Sequence, residues 1–473
     1  MTRIVRFLCI AIAFATVPRM AGSSPEIDRL ADLAAKGDAS ALSSLMDIAR
    51  RSKEPDADYA LGVMAYEGRG LGKNPGQAFR LISRAAAKGH ADANNVLGYF
   101  HEHGIGTPVD LKQALAAYQR GAEAGSARAR TNLGWFYENG VGVEKDAAAA
   151  AKWYREAAEQ GLPEAQANLA NLYEAGLGVS RNPLAAGELY ELALAGGVAS
   201  AALNLGRLQE ARGNLSEATL NYVKAANAKV PEADFAAGRL LVAVVNPQRN
   251  VEQGVAWLDA AAARGRVDAL LLLAGLFAKG DQVPRDAERA ADYFRRAALL
   301  GDAAAAYRYA QHLAALGKPG PESDPLPWFR RAAEKGLAGA QYEAARLLDA
   351  RGNDEANQKE ALAWYRKSAA QGNLPASLRL GIALETGRGT APAPAEALPW
   401  YLKAAEANDP EALYRLGNLY DRGLGIDADF GRARDYYSRA AALGHPEAAR
   451  IVQKMVGMPA LNAIPNDPFK GMR

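Results

Sequence analysis

The chain has 473 residues, 49% hydrophobic and 23% charged, which is enough apolar material for a large core and too regularly spaced for wholesale disorder. Its 56 Lys and Arg face 53 Asp and Glu, but Arg3, Arg6 and Arg19 lie in the first 23 residues, which hold no acid. Without that segment 53 bases meet 53 acids, and a neutral balance gives no electrostatic support to nucleic-acid binding.

At the N-terminus, Arg3 and Arg6 precede an apolar run from Phe7 to Val17, and Ala21 and Ser23 supply the small residues of a cleavage site before Ser24. This is the pattern of a secretory signal peptide over residues 1–23. The run is 11 residues long, shorter than the roughly 17 a membrane-spanning helix needs, so no transmembrane anchor is expected in the mature chain. Cys9, the single cysteine, leaves with the leader, and the mature chain needs neither disulfides nor a thiol-metal site. The expected location is beyond the inner membrane, in a bacterial periplasm.

Residues 24–56 read as an N-terminal helical cap. Leu30 to Gly37 has the pattern of the end of a helix, and Leu45 stands 15 residues after Leu30, but Leu61 follows only 16 later, too soon for a whole further repeat.

From residue 57 to 444 the chain repeats. A first anchor recurs at Leu61, Leu97, Leu133, Leu169, Leu205, Ala237, Leu273, Tyr309, Ala344, Leu380 and Leu416, at intervals of 36 residues except for one of 32 and one of 35. A second recurs at Ile82, Tyr118, Tyr154, Tyr190, Tyr222, Leu258, Phe294, Phe329, Tyr365, Tyr401 and Tyr437, always 15 residues before the next first anchor. A fixed period of this length marks stacked supersecondary units. Stretches such as NLANLYEAG (168–176) read as first helices and AKWYREAAEQG (151–161) as second helices, by apolar spacing of three and four. All variation in length falls between the two helices of a repeat, so that connection is expected to project outward, while the invariant one keeps neighbouring repeats in register.

Glycine pairs such as Gly140 and Gly142, or Gly176 and Gly178, follow the first helix where the chain must leave it. A Walker A reading of EGRGLGKN (67–74) fails, because Glu67 and Asn74 stand where Gly and Ser or Thr are needed. Another glycine, as in Gly98, Gly134 and Gly417, follows the first anchor inside the helix. Its helix-propensity cost of about 1 kcal/mol calls for close approach of a neighbouring helix. Trp153, Trp257, Trp328, Trp364 and Trp400 fall in the second-helix core pattern.

The unit A-x-x-L-G-x-x-Y-x-x-G-x-G-V followed by W-Y-x-x-A-A-x-x-G resembles the Sel-one-like repeat, a relative of the tetratricopeptide repeat. Leu133, Gly134, Gly140, Gly142, Trp153, Tyr154, Ala157, Ala158 and Gly161 carry the match most fully, with Leu169, Tyr173, Gly176, Gly178 and Tyr190. The fifth, sixth, eighth and ninth repeats lack the paired glycines. The resemblance implies an all-α, α/α superhelical solenoid of about eleven two-helix repeats with helical caps. HPEAARIVQKM (445–455) reads as a lone first helix within a C-terminal cap of residues 445–458, and the proline-broken residues 459–473 as a flexible tail.

Chemistry is sparse. Of His90, His101, His103, His312 and His445, only His101 and His103 are close in sequence, and residues two apart on a helix point to different sides. No nucleophile-elbow pattern or distinctive acid pairing marks a catalytic set, so no enzyme activity, cofactor or metal is expected. Some cysteine-rich relatives of this repeat family are linked to β-lactams, but their cysteine pairs are missing here. The expected function is a non-catalytic scaffold that binds one or more proteins or peptides. By resemblance, the systems it could serve include envelope signalling and polysaccharide export, with a cell-wall or carbohydrate-binding protein as the alternative and a hydrolase as a remote one. The candidate surface is the position two residues after the first anchor: Tyr99, Trp135, Asn171, Arg207, Arg239, Gln311 and Arg346, where aromatic residues adjoin a polar and basic stripe.

Overall fold

Helices in this chain start and stop where a particular side chain or glycine makes them do so. Asp110 and Asp146 precede the helices Leu111–Glu123 and Ala147–Glu159, and each carboxylate accepts the N–H of the third residue on, from Gln113 and Ala149, at 3.0 Å. Asn74, Asn182, Asp286 and Asp429 cap other second helices in the same way. The first helix Ala127–Asn139 ends on Gly140, whose φ of 72° suits glycine and brings its N–H within 2.8 Å of the Phe136 carbonyl.

The computed structural model describes residues 24–51, 54–318, 320–352 and 354–456. Among these it contains 25 α-helices, one short 3-10 turn at Pro321–Ser323 and no strand. The signal peptide expected over residues 1–23 and the tail expected over 459–473 lie outside the described residues. Within each body helices pair in sequence order, first with second inside a repeat and second with the next first between repeats. The chain divides between Trp257 and Leu258 into an N-terminal and a C-terminal body.

Close contact inside each repeat explains the mid-helix glycines. A Cβ at Gly98, Gly134, Gly206, Gly381 or Gly417 would lie 2.6–2.8 Å from the ring of Tyr118, Tyr154, Tyr222, Tyr401 or Tyr437. The tyrosine is the second anchor of the same repeat, buried to within 1% in every one of these cases. The missing side chain on one helix is therefore the space that the ring on the other fills. Two anchor positions differ: the second anchor Phe294 is only half-buried while its neighbour Tyr293 is buried, and the first anchor Tyr309 is half-buried, its ring edge to face with Trp328.

The connection within a repeat does not simply project outward. In the fourth repeat a Cβ at Gly178 would stand 2.1 Å from the Ala147 carbonyl oxygen, so the loop lies directly on the start of the preceding repeat's second helix. Where the glycine pair is missing, the loop is built differently. The fifth repeat crosses from Ala211 to Leu215 in three residues. In the sixth, the first helix stops at Val242, and the amide of buried Asn246 donates to Thr219 Oγ1 and the Leu240 carbonyl, both at 2.8 Å. The eighth has a second helix of nine residues, Leu326–Glu334, and the ninth one of 16, Glu355–Ala370.

The N-terminal helices Pro25–Ala35 and Ala39–Arg51 bury Ile27, Leu30, Ala31, Ala34 and Leu45 in the cluster that holds Leu61 and Ile82. At the other end the lone helix Pro446–Val456 buries Ala448, and His445 Nδ1 accepts the Ala448 N–H at 3.3 Å. No helix among the described residues is long and apolar enough to cross a membrane.

Candidate protein-interaction surface

The candidate residues sit on first helices, two places past the first anchor, where a helical rotation of about 200° turns the side chain to a different side of the helix from that anchor. In the N-terminal body the position passes through Tyr99 on Ala91–His103, Trp135 on Ala127–Asn139, Asn171 on Pro163–Ala175, Arg207 on Ala199–Ala211 and Arg239 on Ala233–Val242.

Tyr99 is half-buried, its ring 4.1 Å from the His103 imidazole. Burial, reinforced by a hydrogen bond with Tyr66, pushes its hydroxyl up to about 12. Trp135 is also half-buried and meets Phe136 edge to face at 5.7 Å. Its indole N–H is buried without an acceptor among the described residues. Asn171 is buried, and its carbonyl oxygen accepts from the Tyr190 hydroxyl at 2.7 Å and from Asn204 Nδ2 at 3.0 Å. Arg207 donates to Asn204 Oδ1 at 2.5 Å, and Arg239 to both carboxylate oxygens of Glu210 at 2.6 and 2.8 Å. The five positions thus run from half-buried rings, through an amide network, to guanidinium groups.

In the C-terminal body Gln311 is half-buried and accepts from Arg308 at 3.2 Å, while Arg346 is exposed and pairs with Glu343 at 2.8 Å. These two contacts stay on one helix each.

Behind the surface lies a set of clasps not identified from sequence. Second-anchor tyrosines donate to a glutamate five residues past the first anchor: Tyr118 to Glu102 and Tyr190 to Glu174 at 2.7 Å, Tyr154 to Glu138 and Tyr222 to Glu210 at 2.9 Å, and Tyr401 to Glu385 at 2.5 Å. Burial first, and then the adjoining carboxylate, holds the Tyr118 and Tyr190 hydroxyls far above the ordinary phenol range, so each remains a donor. The recurring Glu before Asn-Gly, Ala-Gly or His-Gly is the signal from which they could be found. In the ninth repeat the shorter Asp349 stands at this position, and the Tyr365 hydroxyl is buried with no partner among the described residues.

The five tryptophans expected in the core are half-buried instead. Each precedes a second anchor, and neighbours on a helix point about 100° apart, so only one of the two can face the glycine seam. His101 and His103 diverge: His101 meets Phe79 edge-on at 5.4 Å, and His103 Nδ1 donates to the Tyr99 carbonyl at 3.1 Å. Among the described residues no three His, Cys, Asp or Glu side chains are grouped as a metal ion would need.

The fold is therefore that of an all-α, tetratricopeptide-like repeat protein, whose working feature is surface laid out along stacked helices. The chain belongs to the Sel1 repeat family, whose model matches residues 55–90, 91–126, 127–162, 163–198, 246–265, 267–302, 328–337, 338–373, 374–409 and 410–445. Among solved structures it is similar to a protective antigen of uropathogenic Escherichia coli that displays an SLR fold, with 29% identity, a TM-score of 0.64, and coverage of 89% of this chain and 91% of that one. It also matches a Sel1 repeat protein from Oxalobacter formigenes, with 26% identity, a TM-score of 0.44, and coverage of 51% and 96%. Comparison with curated proteins finds no match. Sel1 repeat proteins are scaffolds that bind other proteins.

Proposed function

We propose that this chain is a non-catalytic scaffold of the cell envelope that holds a partner protein on the first-helix surface of its N-terminal body. Tyr99 and Trp135 are the anchors, Arg207 and Arg239 the flanking cations, and Asn171 the buried residue that positions Arg207 through Asn204. Gln311 and Arg346 occupy the same repeat position within the C-terminal body and form a separate candidate surface there. The observation that carries this reading is the pair of rings at one repeat position on successive first helices. Both are partly open to solvent, and both are braced by aromatic neighbours. Rigid aromatic groups that lose little entropy on docking are the usual anchors of protein interfaces.

The envelope setting is supported by the leader-like residues 1–23. Regulation of an envelope receptor and support of polysaccharide export are the two roles that fit such a scaffold there. The test is the double variant Tyr99→Ala, Trp135→Ala, with folding verified by circular dichroism. Partner capture from envelope extracts falls at least tenfold if the reading is right. Undiminished capture refutes it, and loss of glycan binding with protein capture intact favours a carbohydrate-binding protein instead.

A further inference from the structure

The second helices of the C-terminal body carry an array that the interaction surface above does not use. Arg331, Lys367, Lys403 and Arg439 recur at intervals of 36 residues, and each lies one turn after an aromatic residue, Trp328, Trp364, Trp400 or Tyr436. The cation sits over that ring at 5.9, 4.3, 5.2 and 5.9 Å respectively. All four cations are exposed and all four rings half-buried. None of the four is paired with a carboxylate among the described residues; Arg439 alone makes a long contact, 3.4 Å, to the neutral Asn408 amide.

The same repeat position is used differently elsewhere. Arg84 in the first repeat is bound to buried Asp58, and Arg120 in the second donates to Asn94 at 3.1 Å. Glu156 and Leu192 replace the cation in the third and fourth repeats. In the seventh, Arg296 donates to the Ala262 carbonyl at 3.1 Å beside a buried Tyr293. Lys224 of the fifth repeat is exposed but follows Asn221 in place of a ring, and Lys152, over the Trp153 ring at 5.4 Å in the third repeat, stands at another position of its helix. A cation free of carboxylate and lying over a half-buried ring is thus found at this repeat position, among the described residues, in the last four repeats.

Neighbouring helices hold this face together. Arg330 reaches Glu360 at 2.7 Å from the eighth to the ninth repeat, and Arg366 approaches Glu396 at 4.0 Å from the ninth to the tenth. The residues beside these bridges, 331 and 367, are the first two cations of the array. On the four second helices, Leu326–Glu334, Glu355–Ala370, Pro394–Ala405 and Phe430–Ala442, nine bases face five acids. Three of those acids, Glu355, Glu360 and Glu396, are already paired with bases on the same face. What is left over is positive.

We infer that this face binds an acidic segment of a partner protein, one carboxylate group to each repeat, with the ring beneath each cation covering the segment's apolar stems. The inference rests on the scaffold reading but on a different surface. One single-charge cation per repeat, two of the four lysine, matches side-chain carboxylates spread along a polypeptide. Phosphate recognition would instead call for converging guanidinium forks or backbone N–H groups. A ring within about 6 Å of a cation also holds it in place while leaving its charge available, which lowers the ordering cost of binding.

The test is a titration of the full chain with poly-L-glutamate, followed by tryptophan fluorescence at low and at physiological salt. Binding is expected to weaken with salt. It should fall at least tenfold in the variant Arg331→Gln, Lys367→Gln, Lys403→Gln, Arg439→Gln, with its circular dichroism unchanged. The variant Arg331→Lys, Arg439→Lys keeps the charge and should bind as the parent does, and so should Tyr99→Ala, Trp135→Ala. No binding of poly-L-glutamate, equal binding by the glutamine variant, or tighter binding of polygalacturonate than of poly-L-glutamate each overturns the inference. Failure here with Tyr99- and Trp135-dependent capture intact leaves the proposed function standing.

Discussion

The glycine seam makes a prediction whose sign depends on position. Gly134 and Gly275 both lie inside first helices, Ala127–Asn139 and Val267–Lys279, and alanine is favoured over glycine in a helix by about 1 kcal/mol. A Cβ at Gly275 meets nothing within 4 Å, so Gly275→Ala should stabilise the chain by up to about 1 kcal/mol. A Cβ at Gly134 would come within 2.8 Å of the Tyr154 ring, which is 0% exposed and tethered at its hydroxyl to Glu138 at 2.9 Å. That ring cannot retreat without losing its bond. Overpacking of this kind costs about 1–3 kcal/mol, which cancels or exceeds the propensity gain and leaves a net loss of up to about 2 kcal/mol. Gly134→Leu, with more atoms in the same space, should be worse. Thermal unfolding monitored at 222 nm reads the contrast, because 1 kcal/mol moves the midpoint by about 2–4 °C in a domain of 150–250 residues. Equal shifts for Gly134→Ala and Gly275→Ala, or a higher midpoint for Gly134→Leu, would refute the packing argument.

Other predictions follow from hydrogen bonding and titration. Tyr118→Phe removes a bond to a carboxylate, a class of bond that contributes about 1.5–3 kcal/mol, whereas Tyr365→Phe removes a buried hydroxyl without a partner and should be neutral or stabilising. Urea unfolding of the two variants should separate them, and equal losses would count against the clasp. His90 caps the helix Ala91–His103 by accepting the Ala93 N–H at Nδ1, 3.0 Å away, while its ring stacks on Tyr59 and Nε2 lies 3.6 Å from Asp56. Burial lowers its pKa against the opposing pull of Asp92 and Asp56. The unfolded chain therefore takes up a proton first, so this stability is complete above about pH 6.5 and is lost as pH falls from there through the lower folded value. His90→Asn keeps a capping acceptor without that titration and should flatten the dependence between pH 5 and 7, and an unchanged slope would contradict the assignment.

The fold was largely legible because its two governing signals are local. The 36-residue period and the fixed 15-residue offset set the stacking, while capping Asp and Asn residues and left-handed glycines mark where helices begin and end. Spacing could not give the direction of side chains at positions next to the core. Trp153 and Tyr154 both fit an apolar pattern, and only the gap at Gly134 decides that the tyrosine goes inside. Gly178 could be read as a turn residue, but its approach to the Ala147 carbonyl depends on a contact between repeats. The candidate surface was legible as a column of positions and not as a network. Nothing in the sequence says that Asn171 is buried under Tyr190 and Asn204, because those partners stand 19 and 33 residues away.

The central claim, that a protein docks on the first-helix rings, is tested most directly by placing a photo-crosslinking residue at position 99 or 135 of the chain in its native cells. Position 184, a leucine that is 70% exposed on a second helix of the same body, serves as the control. The account predicts a discrete protein adduct from 99 and 135 and none from 184. Adducts from 184 alone would contradict it.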